Sequence, residues 1–211
     1  LFRSVSNISD VNETTKAMRR SSTYFDAHLG KNEEKADYVE NYKTDGTTVR
    51  TTQVSFYEGG QRAAAAGADD ALVVQRTFKG SFADIAGVSL TGRYTANALT
   101  TETFYAGIVT EEKTDYSLNY KGLATRETVK TTQVYFYGDS NIRATDNFVT
   151  PDDALRVQRT YKGQVADVAN TLVTSLYEGN KLQSVTFFEG EVSEEKTDFT
   201  QNYKADGTTV R

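Results

Sequence analysis

The sequence predicts an all-β protein of antiparallel hairpin and meander units, copied in tandem every ~80 residues and stacked into an elongated array. Three observations point there. The passage EEKADYVENYK at 33–43 returns as EEKTDYSLNYK at 111–121 and as EEKTDFTQNYK at 194–204, spacings of 78 and 83 residues. Short stretches of Val, Thr, Phe and Tyr repeatedly run up to a glycine, which supplies the positive φ a tight reversal needs. Asp45-Gly46 and Asp206-Gly207 sit between such stretches as hairpin turns.

Taken in order, Asp10–Ser21 reads as a short helix with Asp10 as its N-cap. The predicted strand ends are SFYEG (55–59), RTFKG (76–80), TFYAG (103–107), YFYG (135–138), RTYKG (159–163), LYEG (176–179) and TFFEG (186–190). Alternation in ALVVQRTF (71–78) and ALRVQRTY (154–161) separates two faces. Val73 is exchanged for Arg156, so the side with Ala71, Val73, Gln75 and Thr77 faces water, and Leu72, Val74 and Phe78 point inward. In TTQVSFYEG and TTQVYFYG, Val54 and Phe56 (Val134 and Phe136) share one side, while Tyr57 (Tyr135 and Tyr137) takes the other. These seven residues are the candidates for packing between units. The segments 60–68 and 139–151 differ between copies, AAAAG against TDNFVTP, and read as variable loops facing outward.

The copies give three segments: 1–50 as the C-terminal part of one unit, 51–130 as a full unit, and 131–211 as a full unit ending in mid-hairpin. The last of these rests on YKADGTTVR (203–211), which repeats YKTDGTTVR (42–50), where TTQVSFYEG (51–59) follows directly. Completion of that hairpin is expected either from further copies or from a neighbouring molecule by strand addition.

Composition narrows the function. AVILMFWYC residues make up 37% of the chain, and the aromatics are 13 Tyr and 11 Phe with no Trp. Such a chain buries thin apolar strips more readily than one thick core. A net charge of −5 without any Lys/Arg cluster argues against nucleic acid as a partner. No apolar run reaches the ~18 residues of a membrane span. There is no cysteine and one histidine, His28, so thiolate chemistry and repeated Ser-His-Asp sites have no material.

The recurring acid pairs, Asp69-Asp70 and Asp152-Asp153, Glu33-Glu34, Glu111-Glu112 and Glu194-Glu195, are adjacent in sequence. On a strand such neighbours point to opposite faces, which does not suit paired-carboxylate catalysis. No catalytic or cofactor-binding residue is expected. Asp69, Asp70 and Asp84, with Asp152, Asp153 and Asp167 at equivalent places, are the calcium candidates, weighed against a plainer role as solvated turn residues.

Tyr42-Lys-Thr-Asp-Gly46, Tyr203-Lys-Ala-Asp-Gly207 and Leu176-Tyr-Glu-Gly-Asn-Lys-Leu182 resemble the tyrosine, turn, glycine, strand pattern of YD-type (Rhs-like) hairpin repeats of large bacterial surface and secreted proteins. The resemblance implies an extracellular β-rich array without catalytic residues in the repeats. The expected function is a rod, fibre or filament segment of an extracellular or cell-surface assembly, with copies of itself as partner. The alternative is an adhesin or carbohydrate-binding module that meets surface glycans with its tyrosines and variable loops.

Overall fold

Glycine punctuates the strands as the sequence leads one to expect. Gly59, Gly80, Gly107, Gly138, Gly163 and Gly190 all take φ between 62° and 126° directly after or just beyond a strand. At Gly107 and Gly190 only glycine fits, because a Cβ would stand 2.8 Å from the Glu111 carbonyl oxygen and 2.7 Å from that of Glu194.

The computed structural model describes residues 19–121, 128–175 and 181–211. Among the described residues the fold is all-β, with ten strands paired antiparallel in a meander sheet. They are β1 (Ser21–Asp26), β2 (Lys35–Tyr42), β3 (Val49–Tyr57), β4 (Leu72–Lys79), β5 (Leu99–Ala106), β6 (Lys113–Tyr120), β7 (Val129–Tyr137), β8 (Leu155–Lys162), β9 (Leu182–Glu189) and β10 (Lys196–Asn202). Helix among the described residues is confined to two 3-10 turns, Glu58–Gly60 and Ala63–Ala65. None of these is long and apolar enough to cross a membrane. The expected helix Asp10–Ser21 lies almost wholly outside the described residues, as does the strand end at 176–179. Ser21 itself opens β1.

The described residues divide into two compact units, 19–102 and 103–121 with 128–175 and 181–211. The copy boundaries read from the sequence, 50/51 and 130/131, fall inside β3 and β7.

In the first unit, β2–β3 pairing runs from Tyr38 opposite Val54 to Tyr42 opposite Val49, with a bulge between Asn41 and Tyr42. β3–β4 pairing runs from Thr51 opposite Lys79 to Tyr57 opposite Leu72, with a bulge between Phe56 and Tyr57. Val54, Phe56, Val74 and Phe78 are buried on one face of these strands. The irregular segment that follows β4 closes over that face, bringing Val88 to 2% exposure and setting Phe82 and Tyr94 edge-on against Phe78 at 5.1 and 5.6 Å. Side chains of this size each contribute about 1.5–3 kcal/mol when fully buried.

The second unit uses the same pairings. Tyr116 lies opposite Val134 and Tyr120 opposite Val129, with the bulge between Asn119 and Tyr120. Thr131 lies opposite Lys162 and Tyr137 opposite Leu155, with the bulge between Phe136 and Tyr137. Its core joins Val134, Phe136, Val157, Tyr161, Leu182 and Val185 from the strands to Val165 from the segment after β8.

The two bulges revise the predicted faces. The extra residue lies on β4 (Val73) and on β8 (Arg156), so the period of two breaks there and Leu72 and Leu155 come to lie opposite Tyr57 and Tyr137, while β3 and β7 keep their alternation. Both tyrosines are 7% exposed, and Tyr57 packs on Ala63, Ala66 and Leu72. Ala71, expected to see water, is buried, whereas Leu72 is only half-buried. The segment 60–68 does not simply face outward, since Ala63 and Ala66 are fully covered.

Candidate functional site

In each unit the polar chemistry is gathered in a clamp that fastens the irregular segments to the strands. Lys35, Ala36 and Asp37 open β2. Asp37, 4% exposed, accepts two hydrogen bonds from Arg62, at 2.7 Å from Nε and 2.6 Å from Nη2. Arg62 Nη1 donates onward to the carbonyls of Ile85 and Val88, in the segment that covers the core. Lys35 Nζ donates to the carbonyls of Ala68 and Asp70 at 3.0 and 2.7 Å and lies 4.9 Å from the Tyr57 ring centre. Tyr57 Oη donates to the Ala36 carbonyl at 2.7 Å. One short stretch of β2 is thereby tied to β3, to the β3–β4 loop and to the core cover.

β6 carries the second clamp. Asp115 pairs with Arg143 through both carboxylate oxygens, and Arg143 Nη1 donates to the Val168 carbonyl. Both side chains of this pair are 6% exposed. Lys113 Nζ donates to the carbonyls of Pro151 and Asp153, each at 2.8 Å, and Tyr137 Oη donates to the Thr114 carbonyl at 2.7 Å. Burial pushes the Tyr137 phenol well above its ordinary range, a shift reinforced by the neighbouring Tyr135 and Asp115. A planar guanidinium matches a carboxylate in this two-point way, and buried charges are tolerated only when so paired.

A second arginine in each unit supports the same cover. Arg76 Nη1 donates to the carbonyls of Ser89 and Gly92, and Glu102 Oε1 stands 2.8 Å from its Nε, a close ion pair rather than a well-aligned hydrogen bond. Arg159 Nη1 donates to the carbonyls of Val173 and Ser175, but the sequence has Val185 where the earlier copy has Glu102. Among the described residues, Arg159 Nε has no partner. Thr52 and Thr132, at 1% and 0% exposure, donate to the carbonyls of Gly80 and Gly163.

At Asp45-Gly46 and Asp206-Gly207 the aspartate acts through its carboxylate. Gly46 and Gly207 take φ of 66° and 75°. Asp45 Oδ1 accepts from the Thr47 and Thr48 backbone N–H groups, and its Oδ2 accepts from the Thr48 hydroxyl. The Thr48 hydroxyl and these two amides hold the Asp45 carboxyl down to about 2. Asp206 accepts from the Thr208 and Thr209 amides, which hold it far below its usual range.

Among the calcium candidates, Asp70 accepts from the Gly67 amide, Asp153 from the Thr150 amide and hydroxyl, Asp84 from the Gly87 amide, and Asp167 from Asn170. These are turn-fastening roles. No three acidic or His side chains converge among the described residues. Glu33, Glu34, Glu111 and Glu194 are exposed. His28 sits in a turn beside Asp26, its Nδ1 2.6 Å from Oδ1.

Of the residues named for packing between units, Val134 and Phe136 belong to the core of their own unit, and Val54 and Phe56 are at 0% exposure. Tyr135 lies half-buried on the opposite face, where burial raises its phenol.

No protein-family model matches the chain, and comparison with curated proteins and with solved structures returns no match. The clamp therefore stands on its own geometry. Its two charged partners escaped the sequence reading, although Asp37, Asp115 and Asp198 recur at one position of every copy, and Arg62 and Arg143 follow Tyr57 and Tyr137 by five and six residues.

Proposed function

We propose that the protein is a structural element: copies of one hairpin module, joined strand to strand, form a rod, fibre or filament segment of an extracellular or cell-surface assembly. The single observation that carries this is that β6–β7–β8 repeats the registers, the bulges and the clamp of β2–β3–β4. A module that rebuilds itself residue by residue around an internal ion pair is suited to bearing load and to being continued. The described chemistry is spent on fastening. Lysines, arginines and aspartates are engaged with backbone carbonyls, backbone amides and each other, which fits a mechanical role rather than catalysis. The resemblance to YD-type hairpin repeats supports the extracellular setting.

An adhesin or carbohydrate-binding role resting on Tyr57 and Tyr137 has less support. At 7% exposure neither ring presents a face on which a sugar could stack.

Solution scattering tests the proposal. A chain of stacked modules has a radius of gyration far above the ~17 Å of a 211-residue globule. A value close to 17 Å would overturn the reading.

A further inference from the structure

The strands of the second unit have two faces of unlike chemistry. Thr132, Val134 and Phe136 of β7, with Val157, Arg159 and Tyr161 of β8, are buried on the core side. Alternating with them on the other side stand Thr131, Gln133 and Tyr135 of β7 and Gln158 and Thr160 of β8, all half-buried. Register carries this face across neighbouring strands. Ser117 lies opposite Gln133, Gln133 opposite Thr160 and Thr160 opposite Ser184 in one row, and Tyr135, Gln158 and Thr186 form the next.

None of these positions carries a charge, although charged residues make up 25% of the chain. Charge begins at the margin, with Lys162 opposite Thr131. The first unit repeats the choice on its own strands. Asn41, Thr51, Gln53 and Thr77 hold the same registers as Asn119, Thr131, Gln133 and Thr160. A face that meets only water has no reason to avoid Lys and Glu, which solvate well and keep sheets apart.

The side chains of the face are held by bonds between neighbouring strands. Asn119 Nδ2 donates to Thr131 Oγ1 and to Gln133 Oε1, both at 3.3 Å, and Ser117 Oγ donates to Thr103 Oγ1 at 3.2 Å. In the first unit Gln53 Nε2 donates to Gln75 Oε1 at 2.8 Å. Side chains fixed in this way lose less entropy when a partner arrives. Carboxamides and hydroxyls each combine donor and acceptor, so a face built of them is complementary to itself, whereas Lys or Glu would meet its own copy with repulsion. Five strands at ~4.8 Å and three side-chain rows at ~6.8 Å span about 24 by 20 Å, so two such faces in contact cover roughly 1,000 Å², the lower bound for a specific interface.

We propose that this uncharged face of the second unit is a contact between two copies of the chain, packed face to face about a two-fold axis, with Gln133, Tyr135 and Gln158 at its centre. Each chain carries a net charge of −5, and a face without acids is where two such chains can approach. Tyr135, half-buried between the rows, suits a flat contact better than a platform for a sugar ring.

The test is sedimentation velocity of the full chain over a concentration series. Wild type is compared with Gln133→Lys and Gln158→Lys on the face, and with Thr145→Lys in the exposed part of the β7–β8 loop. Wild type is expected to dimerise reversibly, and no less readily as added salt screens the charge of each chain. Either lysine on the face sets like charges together and is expected to weaken dimerisation at least about tenfold, while Thr145→Lys, the same change of charge, leaves it unaltered. Circular dichroism checks that each variant keeps its sheet, and the second face variant serves where the first fails to fold. A chain that stays monomeric up to ~0.5 mM, above the micromolar constants of weak interfaces, would overturn the proposal. So would dimers indifferent to both face variants, or dimers weakened equally by Thr145→Lys. Monomers retained on a neutral polysaccharide and released by Gln133→Lys would assign the face to sugar and overturn it too. The inference deepens the structural reading by adding a sideways contact, and the two fail separately. Extended monomers in solution scattering remove the contact and keep the rod, whereas compact dimers lost on Gln133→Lys keep the contact and remove the rod.

Discussion

Arg143 and Asp115 offer the sharpest perturbation. Replacing Arg143 by Met keeps much of the side-chain volume but leaves the buried Asp115 carboxylate without its cation, and deprives the Val168 carbonyl of its donor. Removing one partner of a buried pair costs about 3–5 kcal/mol, because the remaining charge is stranded away from water. With an m value of roughly 1.5 kcal/mol/M, ordinary for a unit of this size, the urea midpoint of the second unit falls by about 2–3 M. The double variant Arg143→Met, Asp115→Leu removes both charges and is expected to regain most of that loss, since an apolar pair of similar volume is often as stable as the ions it replaces. The assay is urea denaturation followed by far-ultraviolet circular dichroism on the wild type, both single variants and the double variant. A loss below about 1 kcal/mol in either single variant, the range of exposed pairs, would refute the reasoning. A double variant as unstable as the two singles summed would refute it as well.

Glu102→Val in the first unit reproduces the situation of Arg159 at Arg76, and losing this charged contact is expected to cost about 2 kcal/mol in urea denaturation. An unchanged midpoint would mean that the carbonyls of Ser89 and Gly92 suffice. Thr132→Val is nearly isosteric but removes both the donor to the Gly163 carbonyl and the acceptor of the Val165 amide, so it should destabilise by about 1–3 kcal/mol in the same assay. The Asp45 turn carries a pH dependence. Its folded-state carboxyl titrates below the ordinary 3.8, so its contribution is complete above about pH 4 and is lost as pH falls toward 2. A carboxyl titration by NMR should place the Asp45 midpoint near 2 and show faster amide exchange at Thr47 and Thr48 below it; a midpoint near 4 would contradict the hydrogen bonding seen at the turn.

Much of the sheet was legible because its determinants are local. β-branched and aromatic runs set the strands, and the glycines after β3, β4, β5, β7, β8 and β9 take a positive φ that other residues resist. The Asp-Gly turns were legible for a similar reason. The two bulges were not, since an extra residue in a ladder leaves no periodic trace, and this put Ala71 and Ala154 under cover and left Leu72 and Leu155 half-buried.

The clamp was hidden by a different effect. Arg62 and Arg143 stand where the copies differ most, in QRAAAAG and NIRATDN, and a lone arginine in a variable segment reads as solvated. Its partner lies 25 or 28 positions earlier, and only the three-dimensional path of β3 or β7 brings the two together. The recurring elements were an arginine five or six residues after the strand's last tyrosine and the aspartate two residues after the lysine in each copy. Attention to those, rather than to the adjacent Glu-Glu pairs, would have found the site.

The central claim is that this module exists to be joined to others like it. Electron microscopy of the native material tests it most directly. Filaments or rods with an axial repeat matching one module are the predicted result, and discrete compact particles with no repeat would contradict it.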